Sequence, residues 1–479
     1  CLSDLLSRAH LHDLPIDVHA VISNHPDLGV IAKEFGAHFE HVPVEASRKE
    51  EAEARHLALL AEHGIELVVL AKYMQVLTPR FLTAAERARS IGANSRIRIA
   101  QIGCGSRGVG AHMSGIQKHA AATNIEVVAV ADTWSQAREK AKARATEWFG
   151  SDAKAFSSYR DVLAMKDVDA VMIASPDHLH TLHLEAAANA GKHIYVEKPL
   201  ATEFDKLLKA YDAAKAAQGR GSIIQVGTQL RSLPGVAGAR ELVKSGILGK
   251  ITRVDETRNA EKPYWYGYVD RDVKESEVDW KEFLNDRKPR PFDRRQYASW
   301  YGYYEFCQGP VPQWGAHFLD LMHYVTDCGF PESCMCIGGV TYWKDEYKFT
   351  TPDNVMATWM YPEGMMVTSS NNFGNSSGNL RKFFGDKGTL DVGNWNVPTY
   401  SAEGGPKRDG KIRGKQEVAP VERPDHFLNW LQCMRDNKTP HASIDAGYQH
   451  AVAVLMAVIS YDTGRKTMYD RANRRITTA

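Results

Sequence analysis

Residues 99–110 read IAQIGCGSRGVG, an apolar strand-like run that breaks into glycines and then into a helical pattern. No other stretch restricts the fold as tightly. Gly103, Gly105 and Gly108 fit the spacing G-x-G-x-x-G. In that pattern the first glycine permits a tight turn, the second lets the backbone approach a pyrophosphate, and the third lets helix and strand pack closely. Ser106 and Arg107 fall inside the loop, beside a helix N-terminus whose unpaired N–H groups suit phosphate.

The alternation continues. Strand-like runs at 96–103, 127–132, 169–175, 193–198 and 222–227 are separated by helical patterns at 109–120, 135–148, 179–190 and 203–217. Right-handed crossovers turn such a series into a doubly wound parallel sheet of the Rossmann type. Asp132 ends the second of these strands. A carboxylate there accepts hydrogen bonds from ribose hydroxyls and disfavours a 2′-phosphate, so NAD is expected rather than NADP. The blander alternative is a glycine turn without ligand, with Asp132 capping the next helix.

Beyond residue 228 the rhythm changes. Helical patterns near 235–245 and 315–327 bracket a long aromatic and charged segment, 259–312. Strand-like runs follow at 335–343, 353–361, 364–370 and 380–392, and helices close the chain at 424–436 and 445–460. This is the pattern of an α+β domain with a largely antiparallel open sheet. At 479 residues, two to four domains are expected. A formal net charge of +1 gives no global field for nucleic acid or an anionic membrane. The sequence shows no apolar run long enough to span a bilayer. Seven scattered cysteines fit a reducing compartment, and cytoplasmic residence is expected. No metal is expected: Cys334 and Cys336 have no second ligand pair nearby, and His317, Asp320 and His323 read better as a helix face.

The stretch SPDHLHTLHLEAAANAGKHIYVEKPLAT carries Glu197-Lys198-Pro199 at a strand's carboxyl end, after Ser175-Pro176. With the glycine loop it resembles the glucose–fructose oxidoreductase / inositol dehydrogenase (Gfo/Idh/MocA) family over roughly 96–475. The resemblance implies an NAD(P)-binding domain, a second domain whose open sheet forms homo-oligomer contacts, and oxidation or reduction of sugar or cyclitol hydroxyls. It implies that Lys198 polarises the hydroxyl and that His317, in GPVPQWGAHFLDLMHYV, acts as base. Ser175, Pro176, His180 and Glu197 match positions near the cofactor. Arg231, Tyr301, Trp314 and Asp320 are candidate substrate contacts. One departure stands out: many members carry Asp four residues before the histidine, and this chain has Gln313. Glutamine cannot take a proton. Glycoside cleavage or lyase chemistry on held NAD, and a non-catalytic nucleotide sensor, therefore stay open beside simple dehydrogenation.

Residues 1–82 carry a different signature. IDVHAVIS at 16–23, the charged helix SRKEEAEARHLALLAEH at 47–63 and ELVVLA at 66–71 suggest an α/β unit. CLSDLLSRAHLHDLPIDVHAVISNH, FGAHFEHVPV and ELVVLAKYMQVLTPRFL together resemble formyltetrahydrofolate deformylase, within its formyltransferase-like domain. The resemblance implies a catalytic Asn and His in a histidine-rich segment just downstream, and an Asp beyond. Here Phe81-Leu82 passes into TAAERARSIGANSRIRIAQ instead. Without a base or an oxyanion stabiliser, deformylation is not expected. The expected organisation is a truncated formyltransferase-like fragment at 1–82, a junction at 83–95, an NAD-binding domain at 96–228 and a substrate-binding and oligomerisation domain at 229–479.

Overall fold

The computed structural model describes residues 2–11, 13–14, 16–44, 49–63, 65, 68–69, 96–404 and 410–479. The junction at 83–95 and most of the strand expected at 66–71 lie outside these. The chain divides into two compact units between residues 95 and 96.

In the first unit, strands β1 (Ala20–Ser23) and β2 (His38–His41) pair in parallel. Helices α1 (Leu2–His10), α2 (Leu28–Glu34) and α3 (Lys49–Glu62) accompany them. Its buried apolar residues form two small clusters, one around Leu6, Val21 and Ala32, the other around Val42, Ala52 and Leu59. His38, Glu40 and His63 each bring a donor atom within 4.8 Å of the others, a grouping the sequence reading did not foresee.

The second unit starts with a six-stranded, all-parallel sheet. Strands β3 (Ile97–Ile102), β4 (Ile125–Ala131), β5 (Lys154–Phe156), β6 (Ala170–Ile173), β7 (His193–Val196) and β8 (Ile224–Val226) lie in the order 5-4-3-6-7-8. β6 is buried on both faces, as a sheet covered by crossover helices requires. The helices are α4 (Ser135–Phe149), α5 (His180–Asn189) and α6 (Phe204–Gln218), which present alanines and leucines inward. The strand order reverses between β3 and β6. Their carboxyl ends open the crevice where such sheets bind ligands.

The remainder builds a ten-stranded mixed sheet. After helix α7 (Pro234–Lys244), strand β9 (Ile251–Thr257) pairs in parallel with β12 (Met365–Asn372). All other neighbours are antiparallel, including β10 (Ser333–Gly339), β11 (Asn354–Tyr361), β13 (Leu380–Gly385) and β14 (Gly388–Asp391). Four short strands were not anticipated: β15 (Thr399–Ala402), β16 (Lys415–Glu417), β17 (Thr467–Asp470) and β18 (Arg475–Thr478). The run 380–392 proves to be a hairpin. Helices α8 (Ala316–Thr326), α9 (His426–Asp436) and α10 (Ile444–Thr463) complete the unit. Trp359 on β11 is fully buried and donates its indole N–H to the Ala453 carbonyl on α10, tying sheet to helix. β11 alternates cleanly between buried and exposed, so one sheet face packs inward and the other is open.

Three buried imidazoles make this unit acid-sensitive. Burial pulls His178 and His183 down to about 3 and His426 down to about 4. An unfolded histidine titrates near 6.5, so these folded values are depressed. The stability they carry is present above pH 6.5 and is lost as pH falls toward the folded values. Each site then removes about 1.4 kcal/mol per pH unit. We expect the apparent Tm of the full chain to fall steadily between pH 6.5 and 4.5; a flat profile there would contradict it.

Candidate nucleotide and polyol site

The glycine loop joins β3 to a helical segment that runs as a wide π-type turn over Gly108–Met113 and continues through Ser114–Gln117. Gly103 has φ +86°, and a Cβ there would stand 2.5 Å from the Ala174 backbone. A Cβ on Gly108 would lie 1.9 Å from the Gly103 carbonyl oxygen. A Cβ on Gly105 would meet nothing within 4 Å. The first and third glycines thus serve the fold, and the second faces open space, as a cradle for a pyrophosphate requires.

This space belongs to a cleft of about 860 Å³ lined by Gly103, Gly105, Ser106, Arg107, Asp132 and, across it, Ser175, Pro176 and Tyr301. Asp132 accepts from the backbone N–H of Cys104 at 2.6 Å and of Trp134 at 2.8 Å. Burial raises its pKa, and those two hydrogen bonds oppose the rise. The carboxylate therefore fixes the loop while lining the cleft. The loop, the open Cβ position and the placed acid fit a dinucleotide.

Glu197 is not itself among the cleft-lining residues. It is buried, and its Oε1 accepts from Arg107 at 2.7 Å, from His112 at 3.0 Å and from Gln229 at 3.3 Å. Burial pushes this carboxyl up, but Arg107 and His112 outweigh it and hold it well below the usual range. Burial lowers His112, so a neutral ring donates to an ionised Glu197. The motif glutamate is thus strapped to the helical segment that follows the glycine loop.

Lys198 follows, joined to Pro199 by a cis peptide. Its ammonium donates to the Gln313 carbonyl at 2.8 Å. Gln313 lies in a second π-type turn, Val311–Gly315, which leads into α8 and His317. Such turns recur at functional sites. Burial lowers the Lys198 pKa, opposed by Glu197 and Asp177. Burial, with the Lys198 charge beside it, drives His317 well below 6.5 and keeps the ring neutral.

Four aromatic residues form a cluster nearby. Trp300 stacks on Tyr301 at 3.7 Å, Tyr264 meets both Tyr301 and Trp314 at 5.4 Å, and Arg258 covers Trp314 at 4.0 Å. Four polar atoms are buried without a hydrogen-bond partner in the same neighbourhood: Asp177 Oδ2, Tyr264 OH, Gln313 Nε2 and His317 Nδ1. Sequence reasoning missed Asp177 and Tyr264. Asp177 follows Ser175-Pro176 directly, so its place in the motif was the available signal. Tyr264 lies in the long 259–312 segment, which offered none.

Lys198, Trp314 and His317, like Glu197, are not among the cleft-lining residues, and three further expected residues are held in other contacts. The His180 ring is 1% exposed and sits between the Pro199 and Ser175 carbonyls at 2.7 and 2.8 Å. It clamps two loops rather than lining the cleft. Arg231 and Asp320 bind each other, Nε to both carboxylate oxygens at 2.8–2.9 Å, with His450 beside the pair. Buried charges have to pair, and this pair lies away from the cleft lining.

Comparison with known proteins agrees with this architecture. The family model "Oxidoreductase family, NAD-binding Rossmann fold" matches residues 97–228, and "GFO/IDH/MocA C-terminal domain" matches 282–391. Inositol 2-dehydrogenase 3 of Saccharopolyspora erythraea is 37% identical over 127 residues, 26% of this chain and 35% of that protein. The solved structure of a levoglucosan dehydrogenase in complex with NADH superposes with a TM-score of 0.59 at 17% identity, covering 78% of this chain and 98% of that one. Formyltetrahydrofolate deformylase of Corynebacterium sp. (strain P-1) is 51% identical over 78 residues, 16% of this chain. The chain spans about a quarter of that deformylase's length. Both domain models match in their chain order, behind a short deformylase-like stretch, and the chain belongs to the Gfo/Idh/MocA family of NAD-binding oxidoreductases.

Proposed function

We propose that the chain is an NAD-dependent oxidoreductase acting on a CH–OH group of a sugar, cyclitol or related polyol. The observation that carries this reading is the group of orphaned polar atoms on Asp177, Tyr264, Gln313 and His317 around Lys198. A ligand with several hydroxyls satisfies donors and acceptors together. An apolar ligand would leave each unpaired at about 1–3 kcal/mol. The faces of Tyr301 and Trp314 suit the flat side of a sugar ring.

The glycine loop and Asp132 would hold NAD, which would supply hydride acceptance from a carbinol carbon or hydride return to a carbonyl. Lys198 hydrogen-bonds the reacting oxygen and stabilises the alkoxide charge that develops as hydride leaves. Neutral His317 takes the hydroxyl proton and later passes it to solvent. The products balance as a carbonyl compound, a reduced nicotinamide and one proton. Gln313 does not join the proton transfer; its backbone carbonyl holds the lysine, and its side-chain Nε2 is buried without a partner. That substitution favours keeping one second reading, cleavage of a glycoside or related bond on held NAD. Six free cysteines among the described residues fit the cytoplasm as the place of action.

The test is incubation of the purified full chain with NAD and a panel of sugars and cyclitols, following nicotinamide absorbance and sugar release. NADH formation with at least one polyol is expected. Released sugar without net NADH would move the assignment to cleavage. Neither would overturn both. Formate release from formyltetrahydrofolate is not expected.

We further infer that the open sheet face is a homo-oligomer interface. Met335, Ile337, Met356 and Met360 are exposed there, and Ile337 pairs directly across from Met356. A contiguous apolar patch of this kind marks an interaction surface. Among the described residues, no helix is long and apolar enough to cross a membrane. The wild-type chain should sediment above monomer mass and Met356→Lys should shift it down; a monomeric wild type would refute the inference.

A further inference from the structure

A second cavity, of about 850 Å³, lies between α6, α7, the end of α8, the start of α10 and the β17–β18 hairpin. Five arginines line it: Arg231, Arg240, Arg423, Arg471 and Arg474. Three of them crowd one ring. The guanidinium carbons of Arg231, Arg240 and Arg423 stand 5.1, 4.9 and 5.8 Å from the centre of Tyr324. Like charges gathered so closely repel unless something negative joins them.

The local carboxylates supply only part of that charge, because they neutralise Arg231, Arg240 and Arg474 and leave Arg423 and Arg471. Glu241, Asp327 and Asp445 also line the cavity, but each already faces its own cation. Asp327 pairs with Arg240 at 2.9 Å, Asp445 with Lys215 at 3.0 Å, and Glu241 with Lys244 at 3.8 Å. Arg231 is spent on Asp320, and Arg474 on Asp212 at 2.9 Å. Arg423 donates only to neutral groups, the Tyr324 hydroxyl at 2.6 Å and the Arg231 carbonyl. Its Nε is buried without a partner, as is one terminal nitrogen of Arg474. Arg471 packs over Phe330 at 5.5 Å and forms no ion pair among the described residues. Arg423, half-buried, and Arg471, exposed at the rim, thus have no carboxylate partner among the described residues.

The chemistry of the walls narrows the ligand. A guanidinium fork matches phosphate oxygens two at a time, better than an ammonium does. Tyr324, Phe330, Tyr448 and Tyr469 supply flat faces beside the arginines. The volume suits a small molecule. We propose that this cavity binds a phosphorylated small molecule, its phosphate seated on Arg423 and closed over by Arg471. The proposal is independent of the chemistry assigned to Lys198.

The experiment is calorimetric titration of the full chain with inorganic phosphate, glucose 6-phosphate and unphosphorylated glucose. Saturable binding of the two phosphates is expected. It should weaken at least tenfold in Arg423→Gln and in Arg471→Gln, with thermal unfolding of both variants close to wild type. Arg471 is exposed on a hairpin turn, so its substitution keeps the test open should Arg423→Gln fail to fold. Glucose alone should not bind here. Phosphate binding lost in Gly105→Ala but kept in both arginine variants would belong to the glycine loop and overturn the proposal. Variants that change only the sedimentation mass would assign the arginines to a second copy of the chain, which also overturns it. So would the absence of any saturable phosphate binding.

Discussion

Replacing Lys198 by methionine lowers kcat by more than about a hundredfold, the usual loss when one charge-stabilising donor is removed from a developing oxyanion. Methionine keeps most of the stem's volume and deletes the ammonium. NADH affinity should stay within about threefold if, as proposed, the glycine loop and Asp132, which line the cleft on other elements, carry the nucleotide. The loss should fall on kcat rather than KM, since a proton-sharing contact strengthens as hydride leaves. The pH profile separates this from a structural effect. Burial lowers the lysine's pKa, so wild-type activity changes on the alkaline side at a value below that of a free lysine. That limb should vanish in the variant. Near-normal turnover in Lys198→Met would remove the lysine from the mechanism.

The second large effect sets two glycines of one loop against each other. Gly108→Ala drives a Cβ to 1.9 Å from the Gly103 oxygen, a backbone atom with nowhere to go. The strand–helix junction must shift, at a cost on the order of 3 kcal/mol, and nucleotide binding should go with it. Gly105→Ala places its methyl in open space. Its backbone does not need a positive φ, so the fold should keep its Tm. The methyl instead occupies the ground where a pyrophosphate would lie, and NADH affinity should fall roughly 100-fold, about 2.7 kcal/mol. Unfolding curves beside fluorescence titrations decide the matter. Unchanged NADH affinity in a folded Gly105→Ala protein would mean that the loop cradles no phosphate.

The parallel sheet was legible because its strands are apolar runs punctuated by glycine and because α4, α5 and α6 carry a clean helical period. Strands β10, β11 and β12 were legible as strand-like runs, whereas β13 and β14 were read as a single one. The edges were not legible. β5, β15 and β16 are three or four residues long, too short to show a period. The β17–β18 hairpin sits in a charged tail that reads as loop. The motifs singled out Lys198 and His317 as candidates but said nothing of their surroundings. Nothing in the spacing announces that Glu197 is gripped by Arg107 and His112, or that the lysine rests on a backbone carbonyl rather than on a side chain. Arg231 and Asp320 show the opposite failure. Read singly, each is a polar donor suited to a sugar; folded, they neutralise each other, since neither could be buried alone.

One helix runs from the support of Lys198 to the arginine cavity. Gln313, whose carbonyl carries Lys198, stands just ahead of α8, and Tyr324, the ring that gathers three arginines, stands on its last turn. Eleven residues separate the two points, a rod about 16 Å long. A rod that short slides or tilts as a whole before it bends. The lysine's resting place and the arginine cluster therefore share one short, stiff element.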